Sequence, residues 1–312
     1  MTALLRTLSA YGDAARLVDT RRIRGMARAL RHDVAQYDPP DTPDAELVGV
    51  AQGAFESVAD AAERLRTLED RLREREDRRA VFLTIYTRMT ERISARIAAG
   101  GFRDPEWMRA YTTRFANYYR RAFLAFERGE LGAVPDPWRI AFGTATGSDA
   151  LVLQDAFLGI NAHINYDLAL TLRDVGIDAD RAAKRADHRA VNEVLARLID
   201  AQQRALAEVY AAGVADVDAA LGRLDERLSL LGLREGREQA WRVAVVLTDV
   251  GFPPVASLAR WVLRATATGG AAFVLGPSLD PDLLAELRRF EQVGFDLDDV
   301  LERLVRRLDE SA

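Results

Sequence analysis

The sequence contains no cysteine, a single lysine (Lys184) and three histidines among its 312 residues. The absence of cysteine excludes disulfides, thiolate metal sites and a cysteine nucleophile. Arginine therefore carries almost all of the positive charge, which we interpret as the codon bias of a GC-rich genome. The formal net charge is -5, a value that favours neither nucleic acid nor an anionic membrane as a partner.

Long apolar runs are missing as well. The amino-terminal apolar run is short and is interrupted by Arg6, so we expect no signal peptide. The longest apolar span, 149–172, holds too many polar groups for a lipid-facing helix. We therefore expect a cytoplasmic protein without a membrane span. Glycine-rich phosphate loops, G-x-S-x-G and H-E-x-x-H motifs are also absent.

Most of the ten prolines fall in a few obvious breaks, and the segments between them have helical periodicity without strand alternation. This pattern predicts one all-α domain over 1–312, a multi-helix bundle. The segment 261–277 is expected to form a buried turn between two helices. Helices are predicted at about 21–36, 45–71, 76–99, 104–129, 149–174, 178–212, 215–230, 234–249, 255–267, 281–292 and 296–309.

The helix predicted at 149–174 is apolar all round, so we expect it to be buried at the centre of the bundle. It nevertheless carries two polar stripes, which lie roughly 200° apart on a regular helix. A π-bulge or kink near Gly159 would be needed to bring the two stripes together. One stripe holds Gln154, Asn161 and Asn165, and the other holds His163, Asp167 and Asp174.

The next helix places His188 on its apolar stripe, with Asn192 one turn later. Consecutive helices with a short connection pack antiparallel. Because His163 and His188 are each about 12 residues from the turn at 175–176, we expect them to meet at the same height. This meeting, beside Asp167, is the basis of the functional interpretation.

Three functions fit this pattern. The first is a metal-dependent, hydrolase-like enzyme, since imidazoles and carboxylates from facing helices bind divalent cations; the same groups would also suit metal-free acid–base work. The second is a binding protein for a small apolar ligand, in a pocket lined by the aromatics of 102–123. The third is a structural or partner-binding bundle, and a homo-oligomer is compatible with each.

The site residues of the first hypothesis have assigned roles. His163, Asp167 and His188 are the expected catalytic groups. The metal ligands would be these three with Asp155. The substrate contacts would be Asn161, Asn165, Asn192, Tyr86 and Tyr119.

The stretch "FLGINAHINYDLALTL" resembles the signature of the domain-of-unknown-function family 5995, marked by N-A-H-I-N-x-D-L. The resemblance extends to "VFLTIYTRMTERI", "FRDPEWMRAYTTRFANYYRRAF" and "DHRAVNEVL", and more loosely to "REQAW" at 237–241. It implies a family-like core at 77–245, with 1–75 and 246–312 as helical elaborations. The resemblance implies no established activity.

Overall fold

The computed structural model of the chain describes residue 12 and residues 20–211, 233–250, 252–276, 281–293 and 296–311. Every regular element within these ranges is a helix and none is a strand, which confirms the all-α prediction. The helices are α1 (Thr20–Ala29), α2 (Ala45–Ala51), α3 (Val58–Arg73), α4 (Arg79–Ala98), α5 (Pro105–Glu127), α6 (Asp136–Gly147), α7 (Val152–Ala162), α8 (Leu168–Val175), α9 (Arg181–Ala211), α10 (Leu233–Asp249), α11 (Pro253–Leu275), α12 (Pro281–Val293) and α13 (Leu297–Glu310).

Helices α7 and α8 form one rod, joined by a π-helical turn at His163–Asp167. The rod is surrounded by α4, α5 and α6 on one side and by α10 and α11 on the other. Nearly all of α7 is buried, because a helix that is apolar on every face must be covered on every face. The predicted central helix is thus confirmed.

Several helix ends follow the expected capping rules. The Asp104 side chain accepts a hydrogen bond from the backbone N–H of Trp107, and Pro105 occupies the first helical position of α5. Gly100, just after α4, has a φ of 71°, the left-handed conformation that favours glycine. Ser148 ends α6 in the left-handed region, and Leu151 directly precedes the first residue of α7.

Helix α6 was not predicted, since its start lies within the proline-rich segment 134–138. Proline is compatible with the first turn of a helix, so this segment begins a helix rather than a loop. The single helix predicted at 45–71 is also divided, because Gly53 adopts a φ of 75° between α2 and α3.

The buried turn predicted within 261–277 is wrong. Helix α11 instead continues through Gly269 and Gly270 to Leu275. A Cβ atom on Gly269 would lie 1.9 Å from the carbonyl oxygen of Gly25, in α1. The glycine pair therefore allows neighbouring elements to approach α11 closely. The helix predicted at 215–230 lies outside the described residues. None of the described helices is long and apolar enough to cross a bilayer.

Candidate acid–base site around His163

The π turn pairs His163 with Asp167. Nδ1 of His163 lies 2.9 Å from Oδ2 of Asp167, and Nε1 of Trp138, in α6, donates to the same oxygen at 2.7 Å. Since the carboxylate can only accept, this hydrogen bond places the imidazole proton on Nδ1 and leaves Nε2 with its lone pair. The π turn interrupts the rod four residues beyond Gly159.

Two acceptor atoms of this pair have no hydrogen-bond partner in the part of the chain that is described. They are Nε2 of His163 and Oδ1 of Asp167, and both atoms are buried. A buried polar atom without a partner costs about 1–3 kcal/mol, so natural structures retain few of them. The two atoms therefore mark the pair as a candidate site.

An aromatic cage surrounds the imidazole. Phe115, from α5, stacks on it with 3.5 Å between ring centroids and 8° between planes. The Tyr86 ring, from α4, presents an edge-on contact at 4.4 Å. Phe82, Tyr119 and Trp138 lie farther out, at 5.9, 6.3 and 5.8 Å. The cage fixes the ring orientation and removes water from it.

Burial has opposite effects on the two ionisable groups. It lowers the pKa of His163 below the ordinary 6.5, although the hydrogen bond and charge of Asp167 act the other way. It raises the pKa of Asp167, against the influence of His163 and Trp138. At neutral pH the imidazole is consequently an uncharged base.

His163 lines a cavity of about 30 Å³ together with Phe82, Tyr86, Phe115 and side chains of α7, α9 and α10. A second cavity of about 20 Å³ lies on the other side of Tyr86 and Phe115 and reaches Arg237. Each volume suits a group of about the size of a water molecule. The hydroxyl groups of Tyr86 and Tyr119 have no described partner, so both tyrosines remain near the pair without a hydrogen bond to it.

His188 is buried, as expected, but belongs to a separate cluster. Its Nε2 donates to the carbonyl oxygen of Arg237 at 3.1 Å, and its Nδ1 lies 3.0 Å from the Tyr111 hydroxyl. Asn192 accepts a hydrogen bond from Nε of Arg237 at 2.6 Å. The path between the two imidazoles runs through the rings of Tyr111 and Phe115. The structure thus does not bring His163 and His188 into one centre.

Asp155 is not joined to His163 either. Its Oδ2 accepts from Nε of Arg78 at 2.7 Å, and Arg78 also bonds Glu291 at 3.1 Å. Burial raises the pKa of Asp155 to about 8, with Arg78 opposing and Glu291 reinforcing the effect. Among the described residues, no group of three or more histidine and carboxylate side chains is placed to hold a metal ion. The four expected ligands are divided among three clusters.

The asparagines of the central rod face the other way. Asn161 donates to the carbonyl oxygen of Ala267 at 2.8 Å, and Asn165 donates to Oδ1 of Asn161 at 3.0 Å. A Cβ atom on Gly270 would lie only 2.4 Å from Oδ1 of Asn161, and one on Gly236 only 2.5 Å from Oδ1 of Asn165. The amides therefore serve the packing of α11 and α10 against the rod, and the two predicted stripes face different neighbours.

Sequence reasoning missed two residues of the site, Phe115 and Trp138, and the buried Arg237 of the neighbouring His188 cluster. Phe115 was considered only as part of an aromatic stripe, and Trp138 stands in a segment interpreted as a break. Arg237 is 1% exposed, and no carboxylate pairs with it in the described ranges. Its position within "REQAW", which resembles the family, was the one signal for it.

Fold and site together define an all-helical protein with a buried histidine–aspartate pair. The family model of the domain-of-unknown-function family 5995, described as a family of unknown function, matches residues 58–277. Because this range exceeds half of the chain, the protein belongs to that family. No curated protein and no solved structure matches the chain.

Proposed function

We propose that the protein is an enzyme in which His163 acts as a general base toward a small substrate. One observation carries the proposal: a buried, uncharged imidazole keeps an Nε2 without a partner among the described residues, while a carboxylate fixes its Nδ1. A base is most effective when its lone pair is free and its orientation is set in advance.

Asp167 has a positioning role in this proposal. Its Oδ2 accepts from both His163 and Trp138, so the indole holds the carboxylate while the carboxylate holds the imidazole. An aspartate in this arrangement selects the tautomer and stabilises the imidazolium that forms when Nε2 takes a proton.

Arg237 supports an acyl or otherwise oxygen-rich substrate. Arg237 lines the cavity that Tyr86 and Phe115 separate from His163, and it pairs with no carboxylate of the described residues. A buried cation without a counter-ion is suited to a negative charge that develops during reaction. Because His163 is 2% exposed, entry of a substrate requires the apolar side chains around it to move.

The proposed alternatives have less support. An apolar ligand of ordinary size needs a pocket of about 300–1,000 Å³, whereas the two cavities at the aromatic cluster measure about 30 and 20 Å³. A purely structural role would favour pairing of both Nε2 of His163 and Oδ1 of Asp167, and within the described ranges neither atom is paired.

Hydrolysis of p-nitrophenyl acetate, a small uncharged ester, tests the proposal. General-base catalysis contributes about 10²–10⁴-fold, so we expect His163→Gln to lose at least about tenfold in kcat/KM. The matched control is His32→Gln, because the His32 imidazole bonds to Tyr37, which is not among the residues around His163. Equal activity of wild type and a folded His163→Gln variant would overturn the proposal.

A further inference from the structure

A wide groove of about 1,000 Å³ lies along another face of α5, away from the face that carries Phe115. The residues of α5 that line it recur every three or four positions, which is the spacing of one helix face. The other walls are the segment 54–59, the end of α4 and the last two residues of α8, Asp174 and Val175. A volume of this size accommodates a small molecule.

Three arginines in the groove have no carboxylate partner among the described residues. They are Arg114, Arg120 and Arg121. By contrast, Arg109 pairs with Glu106, and the Asp174 carboxylate is bonded to Tyr118 and Arg173. Glu56 is the remaining acidic side chain of the lining. Arg114, Arg120 and Arg121 therefore leave positive charge on the α5 wall of the groove that no described carboxylate pairs with.

Arg120 is the most unusual of the three, because it is 8% exposed. Its Nε donates to Oδ1 of Asn117 and its Nη1 to the carbonyl oxygen of Ala51, both at 2.9 Å. Burial and the nearby charges of Arg121 and Arg64 lower the pKa of Arg120. A cation that is buried beside other cations is unfavourable unless an anion compensates it.

The groove is also rigidly built. Asn117 accepts from the backbone N–H of Phe55 and donates to its carbonyl oxygen, each at 2.9 Å. This pair of hydrogen bonds ties the wall at 54–59 to α5, and the Asn117 amide in turn orients the Arg120 guanidinium. The wall leads into the first turn of α3, whose positive dipole end adds to the field in the groove.

Apolar side chains continue from the arginines along the groove, among them Val58, Ile97 and Val175. We propose that the groove binds an amphipathic organic anion, whose carboxylate or phosphate head contacts Arg114, Arg120 and Arg121 while its apolar chain covers these side chains. This site is separate from His163, and it does not depend on the proposed enzymatic function.

Calorimetric titration with dodecanoate and with dodecyl phosphate, below their micellar concentrations, tests the site. Dodecyltrimethylammonium has the same chain length and the opposite charge. We expect both anions to bind, with an affinity that falls as salt is raised, and the cation not to bind. The tighter anion identifies the preferred head group. Equal binding of the cation would overturn the proposal.

Variants locate the site. Arg120→Gln should weaken anion binding about tenfold, since it removes a buried charge-assisted donor. Arg114→Gln should weaken anion binding about threefold, because the exposed charge of Arg114 is screened by solvent. Arg114 makes no described hydrogen bond or ion pair, so we expect this variant to keep the fold. The control is Arg128→Gln, which follows α5 outside the groove. Unchanged affinity in Arg114→Gln and in a folded Arg120→Gln would contradict the assignment.

Discussion

Replacing Asp155 by asparagine should make the protein less sensitive to alkaline pH. In the folded state burial raises the pKa of Asp155 from 3.8 to about 8. The folded state therefore binds this proton more tightly than the unfolded chain does. The associated stability is fully present below about pH 4 and is lost as the pH rises through about 8.

The size of the effect follows from the shift. One pKa unit corresponds to about 1.4 kcal/mol, so the wild type should lose on the order of 5 kcal/mol from this group between pH 4 and pH 8. Asparagine does not titrate and can still accept from Nε of Arg78. As the pH rises, the unfolding free energy of the variant should therefore increase relative to that of the wild type by about 1.4 kcal/mol per pH unit.

Urea unfolding of both proteins at pH 5, 6, 7 and 8 measures this difference. Glu106→Gln is the matched control, because that carboxylate is 85% exposed and pairs with Arg109 at the surface; its difference from wild type should stay constant. Parallel pH curves for wild type and Asp155→Asn would refute the account of the Arg78 cluster. They would show that the carboxylate is ionised throughout this range.

Two further predictions concern packing and the polar pair. Gly269→Ala should destabilise the protein by about 1–3 kcal/mol or more, because its Cβ would lie 1.9 Å from the Gly25 carbonyl oxygen. The control is Gly49→Ala, which has nothing within 4 Å and should be neutral or stabilising. Equal melting temperatures of the two variants in thermal unfolding would refute the close approach. Asp167→Ala should cost about 2–6 kcal/mol in urea unfolding, since it leaves two buried donors unpaired. Asp167→Asn retains an accepting oxygen and should cost clearly less, so equal costs would contradict the shared hydrogen bond.

The fold was largely predictable because periodicity reports which faces of each helix are buried. The central rod and its two polar stripes follow from local spacing. Helix α6 and the length of α11 did not follow from it. Proline and glycine usually interrupt a helix. Here, however, proline stands in the first turn of α6, and the glycine pair of α11 allows a close helix contact.

The site was predictable only in part. His163 and Asp167 are one turn apart, so their pairing follows from the sequence. The separation of His188 from them depends on the volume of Tyr111 and Phe115, which spacing along the chain does not report. The hydrogen bond from Trp138 and the position of Arg237 arise between distant segments, and no local pattern predicts such contacts.

The protonation state of His163 tests the central claim most directly. In ¹⁵N-labelled protein at pH 7, with the signal assigned by comparison with His163→Gln, we predict a proton on Nδ1, a bare Nε2 and titration below pH 6.5. A proton on Nε2, or an imidazolium at pH 7, would contradict the claim that this imidazole is a free base.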